Sequence, residues 1–79
     1  MTAQEIKDTL ASGEVKFSYE KVDGSIREAR GTRNLQILEE HAATPKGNKQ
    51  ENDNIIPYFD LDVNGWRCFK VDSFLGFSE

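Results

Sequence analysis

The 79 residues predict a small, mainly β domain: a short N-terminal helix, five antiparallel strands bent into a barrel, and one long loop. Three observations carry this reading. The segment EVKFSYEKV at 14–22 alternates apolar and polar side chains, the signature of a half-buried strand. Two turn dipeptides, Asp23-Gly24 and Asn64-Gly65, each stand between strand-like segments and mark hairpins. The stretch IIPYFDLDVNGWRCFKV at 55–71 concentrates large aromatic side chains, and the remainder of the chain wraps around it.

The helix is expected over 2–12. Thr2 with Glu5 three positions on forms a capping box, and Ile6 and Leu10 share one face. Gly13 ends the helix by taking a left-handed conformation. So short a helix is unstable alone, so its apolar stripe has to dock on an end of the sheet. The barrel is expected over 14–77. In its first strand Val15, Phe17 and Tyr19 face inward. After Asp23-Gly24 the return strand, SIREARGTR at 25–33, is poor in apolar residues and rich in arginine. Gly31 within it marks a bulge or bend of the kind a small barrel needs to close.

NLQILEEH at 34–41 reads as a turn of helix with Leu35 and Leu38 inward, and 42–54 as an exposed loop. The strand that begins at Ile55 contains Pro57, which suits a sheet edge or a strand's beginning. A three-residue turn Val63-Asn64-Gly65, with Gly65 left-handed, places Phe59 opposite Phe69 and Leu61 opposite Arg67. Phe59, Leu61, Phe69 and Val71 then face the core, and Tyr58, Asp60, Trp66, Cys68 and Lys70 face away. A one-residue slip would reverse one strand. DSFLGF at 72–77 closes the barrel, with Phe74, Leu75 and Phe77 completing the core.

Bulk composition narrows the function classes. Seventy-nine residues suffice for one domain, 1–79, with a modest core. No apolar run is long enough to cross a bilayer, and no basic-then-apolar leader opens the sequence, so the cytoplasm is the expected location. One cysteine and one histidine cannot build a zinc site, and no metal or cofactor is expected. The net charge of −4 argues against broad duplex binding but leaves room for a local basic patch.

Several runs resemble one family. YFDLDVNGWRCFKVDSFLGF is similar to the C-terminal half of WYL-type domains, in which a strand ending near an acidic DL precedes a W-R-x-F-[RK]-[VL]-D strand. VKFSYEKVDGSIREARGT resembles the first hairpin of that group. PKGNKQENDN resembles the PKG-x-x-x-x-EN connector of a small-protein branch common in tailed phages, the second WYL group. The resemblance spans about 13–77. It implies an SH3/Sm-like barrel in a small phage-type regulator that binds a ligand or nucleic acid, and location in the host cytoplasm. Some members are described as modifiers of suppressor transfer RNAs. Ile56-Pro57-Tyr58 stands near the position of the W-Y-L triplet, and neither a helix-turn-helix segment nor the Sm signatures for uridine-rich RNA is present, so neither transcription-factor action nor ring assembly is expected.

The candidate ligand-binding residues are Arg30, Arg33, Arg67 and Lys70, with Trp66 and Tyr58 as stacking surfaces. Guanidinium groups pair with phosphate in a planar fork and stack on bases, and aromatic faces hold single-stranded nucleic acid. Arg27 belongs to the same run of arginines. The competing reading has Glu28, Asp60, Asp62 and Asp72 neutralise these arginines as cross-strand pairs. Lys46 and Lys49 are candidate loop contacts. Trp66 is read as structural cover rather than a contact anchor, and Cys68 as buried packing. His41 with Glu39 and Glu40 reads as a helix-end surface, since no nucleophile or further ligand accompanies them. The sequence therefore predicts no catalytic residue. It predicts a non-enzymatic binding protein for RNA, including transfer RNA, or for a nucleotide. The alternative is a protein-interaction module that modulates a host protein. The oligomeric state is left open.

Overall fold

The computed structural model describes residues 2–43 and 54–78. Helix α1 spans Ala3–Ala11, strand β1 Val15–Glu20, β2 Ile26–Thr32, helix α2 Leu35–Glu40, β3 Ile55–Asp60 and β4 Gly65–Lys70. A 3-10 turn at Val71–Ser73 leads into β5, Phe74–Ser78. The five strands form one antiparallel sheet in the order β4-β3-β2-β1-β5. The sheet coils until its two edge strands meet through Phe69 and Phe74, whose rings stack 5.6 Å apart. The predicted helix and five strands are all present.

Helix α1 forms for local reasons. The Thr2 side chain accepts from the Glu5 amide, and the Glu5 carboxylate accepts from the Thr2 amide, completing the capping box. Ile6 and Leu10 are fully buried, each burial worth roughly 1.5–3 kcal/mol. The far end is satisfied from the end of β2 and the two residues after it. The Arg33 amide and the Thr32 hydroxyl donate to the Leu10 carbonyl, and the Asn34 side-chain amide donates to that of Ala11. Carbonyls that a helix end leaves orphaned are thereby tied to the sheet. Ser12 is the cap, and Gly13 follows it at φ 157°, a positive φ that L side chains rarely adopt.

The β1–β2 hairpin forms as its sequence predicts. Asp23 accepts from both the amide and the hydroxyl of Ser25, and Gly24 takes φ 88°. The β1–β2 register runs unbroken through Gly31, so no bulge sits there. Gly31 is needed instead because β3 crosses closely: a Cβ on it would lie 2.5 Å from Tyr58 Cδ2 and 3.0 Å from the Phe59 carbonyl. The irregularity is in β5, where the pairing with β1 skips Leu75 between Phe74 and Gly76. That skip turns Leu75 to solvent, so only Phe74 and Phe77 of the expected trio pack on the core.

The largest correction concerns the β3–β4 hairpin. Asp60 pairs with Gly65, Phe59 with Trp66, Tyr58 with Arg67 and Ile56 with Phe69. The connection is the four-residue segment Leu61 to Asn64, and Asn64, not Gly65, takes the positive φ, at 58°. The expected register is thus three residues off. An odd slip exchanges the faces, because side chains alternate along a strand. Tyr58 and Asp60 therefore point inward with Ile56 and Phe69. Phe59 and Leu61 face a second, smaller cluster with Leu38, against which Ile37, Ala43 and Trp66 pack. Strand β3 is consequently buried on both faces. Pro57 lies in the part of β3 that β2 does not pair, so its missing N–H breaks no bond of that ladder.

Helix α2 is capped by Asn34, whose side chain accepts from the Ile37 amide. Leu38 is buried as expected, whereas Leu35, at the first helical position, is exposed. Of the loop expected over 42–54, residues 44–53 lie outside the described residues, and Lys46 and Lys49 with them.

Candidate functional site

The site is built around Asp60, at the inner end of β3. Its Oδ1 accepts from the amides of Asp62 and Val63, which shapes the β3–β4 turn. Its Oδ2 accepts from Arg27 Nη2 at 2.5 Å, lies 3.4 Å from the Tyr58 hydroxyl, and has Arg67 Nε 3.8 Å away. Burial would push the Asp60 carboxyl up. The guanidinium of Arg27 and the two turn amides outweigh that and hold it below the ordinary carboxylate range. Asp60 pushes Arg27 up in turn, so the pair is ionised at neutral pH. The Tyr58 and Tyr19 hydroxyls are hydrogen-bonded to each other at 2.9 Å, and burial raises the Tyr58 pKa well above the phenol range.

This network opens toward a groove of about 870 Å³ at the end of the barrel where β1 runs into its hairpin turn. Tyr19 to Asp23 form one wall and Arg67 to Lys70 the other, with Ile55 and Ser73 beside them. The lining is mainly apolar, and Lys21, Arg67 and Lys70 are its cations. Such a volume with few polar groups suits a small ligand or a segment of a larger one. Glu20 and Asp23 also line the groove, and Asp23 is engaged by Ser25. That engagement, led by the Ser25 hydroxyl, lowers the Asp23 pKa.

The six predicted ligand-binding residues do not form one surface. Arg67 and Lys70 meet in the groove. Arg30 pairs with Glu14 and Asp62, both at 3.2 Å, and Arg33 donates to the Pro57 carbonyl at 2.7 Å. Tyr58 is fully buried and cannot offer a stacking face. Trp66 packs edge-on against Phe59, ring centres 5.8 Å apart, in the second cluster and away from the groove. Cross-strand pairing describes Arg27, Arg30 and Arg67, with Asp60 and Asp62 among the carboxylates, as the competing reading has it. Cys68 is exposed rather than buried and lines the groove. Lys21 was missed: a lysine before Asp-Gly carries no signal until the hairpin is seen to curl over β4.

Among the described residues no group of three or more His, Cys, Asp and Glu side chains is placed to hold a metal ion, and no helix is long and apolar enough to cross a membrane. His41 caps α2 on the surface, 6.1 Å from the Phe59 ring.

Comparison with known proteins places this architecture. An uncharacterized 11.5 kDa protein of enterobacteria phage T4, from the Gp31-cd intergenic region, is 29% identical over 72 residues, covering 89% of this chain and 71% of the relative. No solved structure matches. The family model WYL_2, described as an Sm-like SH3 β-barrel fold, matches residues 3–75, nearly all of the helix and sheet described above, and the chain belongs to that family.

Proposed function

We propose that this protein is a small, non-catalytic binding protein of phage type whose groove takes a nucleotide or a segment of RNA. The observation that carries this is the convergence of Lys21, Arg67 and Lys70 on one mainly apolar groove in a chain whose net charge is −4. Cations gathered against the overall charge of a protein mark where an anionic ligand is favoured. The use of RNA or a nucleotide also agrees with the resemblance to proteins described as modifiers of suppressor transfer RNAs.

The test is fluorescence anisotropy with a labelled single-stranded RNA decamer. Three cations neutralising about three phosphates give a logarithmic salt slope of roughly −2, a loss of about a hundredfold in affinity for each tenfold rise in salt. Arg67→Ala and Lys70→Ala each weaken binding and flatten that slope. Failure to retain any RNA or nucleotide at low salt overturns the proposal.

A second reading has one observation of its own. Val22 and Ile26, at the tip of the β1–β2 hairpin, are exposed aliphatics, and Val22 lines the groove. Exposed apolar groups rimmed by charge also suit a protein partner. Binding to a host protein that persists at high salt and is lost on Val22→Asp would favour this module reading.

A further inference from the structure

Resting on the reading of the groove as a nucleotide or RNA site, we infer that it recognises the phosphate group and not the base, with Arg67 as the fork that grips it and Asp60 as the residue that positions that fork.

The charge arrangement comes first. Asp60 is fully buried and carries one negative charge, already met by Arg27 Nη2 at 2.5 Å and by two backbone amides. Arg67 approaches the same Oδ2 only through Nε, at 3.8 Å. Two guanidinium groups thus face one carboxylate, and the second is the surplus. The geometry of Arg67 suits this: its Nε side is turned to Asp60 while the side chain lines the groove, 44% exposed. Its remaining N–H donors make no protein hydrogen bond or ion pair among the described residues. Lys21 and Lys70 have no carboxylate at ion-pair distance there either. A phosphate oxygen pair matches the planar donors that Arg67 has left over, and the two ammonium groups add point charges around it.

The aromatic arrangement excludes the alternative. A protein that reads bases on single strands presents aromatic faces for them to stack on. Tyr19 and Phe69, the aromatic residues of the groove, are 5% and 4% exposed and stack on each other, centres 5.1 Å apart and rings 22° from parallel. Their faces are taken. Trp66, the obvious stacking candidate in the sequence, belongs to the second cluster instead. Val22 and Ile55 supply apolar contact without shape for a particular base.

The experiment compares labelled homopolymeric oligoribonucleotides of A, U and C with inorganic pyrophosphate as competitor, on the whole chain. The inference expects affinities for the three homopolymers within about threefold of one another, and complete displacement by pyrophosphate. It expects Arg67→Lys, which keeps the charge and loses the fork, to weaken both ligands about tenfold. Asp60→Asn tests the positioning role: once amide NMR shows the hairpin register intact, it is expected to weaken pyrophosphate binding as Arg67→Lys does, and an unchanged pyrophosphate affinity overturns that role. RNA binding with a base preference above about tenfold, or RNA binding that pyrophosphate does not displace, overturns the inference and leaves the groove reading standing. Pyrophosphate binding that depends on Arg67 without any RNA binding supports the phosphate fork and narrows the ligand to small phosphates. Binding of neither overturns both.

Discussion

Arg27 and Asp60 stand 33 positions apart in the chain and meet inside the barrel, Arg27 Nη2 donating to Asp60 Oδ2 at 2.5 Å. The carboxylate is fully buried, and it also accepts the two amides that form the β3–β4 turn. One side chain therefore joins β2 to β3 and fixes the hairpin that carries the groove's second wall. Asp60→Asn leaves the shape and removes the charge, so Arg27 is left partly buried without its counter-ion. Breaking a buried pair from one side costs about 3–5 kcal/mol. Urea denaturation followed by circular dichroism checks this, and a loss below 1 kcal/mol would contradict the role given to Asp60.

The same pair sets the acid sensitivity. The Asp60 pKa is lowered in the folded protein, so the unfolded chain takes up its proton first as pH falls. The stabilisation is complete above the unfolded aspartate value, near 3.9, and is lost as pH drops through the folded value. Urea midpoints measured from pH 7 downward should therefore hold until about pH 5 and then decline. Asp60→Asn should give a shallower decline. Glu5 and Asp23, whose pKa values are also lowered, leave a residual slope in that variant.

Gly31 offers a test of packing without charge. Its absent Cβ makes room for the Tyr58 ring and the Phe59 carbonyl. Gly31→Ala forces β2 away from β3 at the point where their pairing begins, Gly31 opposite Asp60. Overpacking of this kind costs about 1–3 kcal/mol, and in a chain of this size each kcal/mol lowers Tm by about 4–8 °C. Gly65→Ala is the control, because nothing lies within 4 Å of its added Cβ. Equal melting temperatures for the two variants would refute the close approach.

What the sequence made legible divides along the range of the interactions. The capping box of Thr2 and Glu5, the Ile6/Leu10 stripe and the Asp23-Gly24 turn depend on neighbours a few positions away, and each formed as read. The β3–β4 register did not, because Asp60 decides it. Its carboxylate binds the amides of Asp62 and Val63, a local signal present in the D-L-D run, and its place in the core depends on Arg27 in another strand. With that register went the placement of Tyr58, read as a ligand contact and found in the core. Arg67 and Lys70, candidates by residue type, both line the groove, whereas Arg30 is drawn off by Glu14 and Asp62. Leu35 and Leu75 show the limit of hydropathy: a helix's first position and a skipped strand residue face solvent whatever their side chains.

Thr32 ties the helix to the barrel. Its buried hydroxyl is shared between the carbonyls of Leu10, at 3.2 Å, and Gly13, at 2.7 Å, and it accepts from the Asn34 amide at 2.9 Å. Thr32→Val keeps the shape and strands these groups, at a cost of about 1–3 kcal/mol. Native-state amide exchange should show α1 losing more protection than the β1–β2 hairpin. Uniform loss across both would mean that the hydroxyl supports the whole barrel rather than the junction.

Cys68 gives a direct measure of how open the groove is. In the register found here it pairs with Pro57 on the outer side of β4 and lines the groove, exposed. A thiol so placed reacts without any unfolding of the barrel, whereas a buried one waits for an opening event. With an aromatic disulfide reagent, the native protein should be modified within about tenfold of the rate for the urea-unfolded chain, and a ligand occupying the groove should slow the native rate. Modification that requires denaturant would place Cys68 in the packed interior and contradict its exposed place in the groove lining.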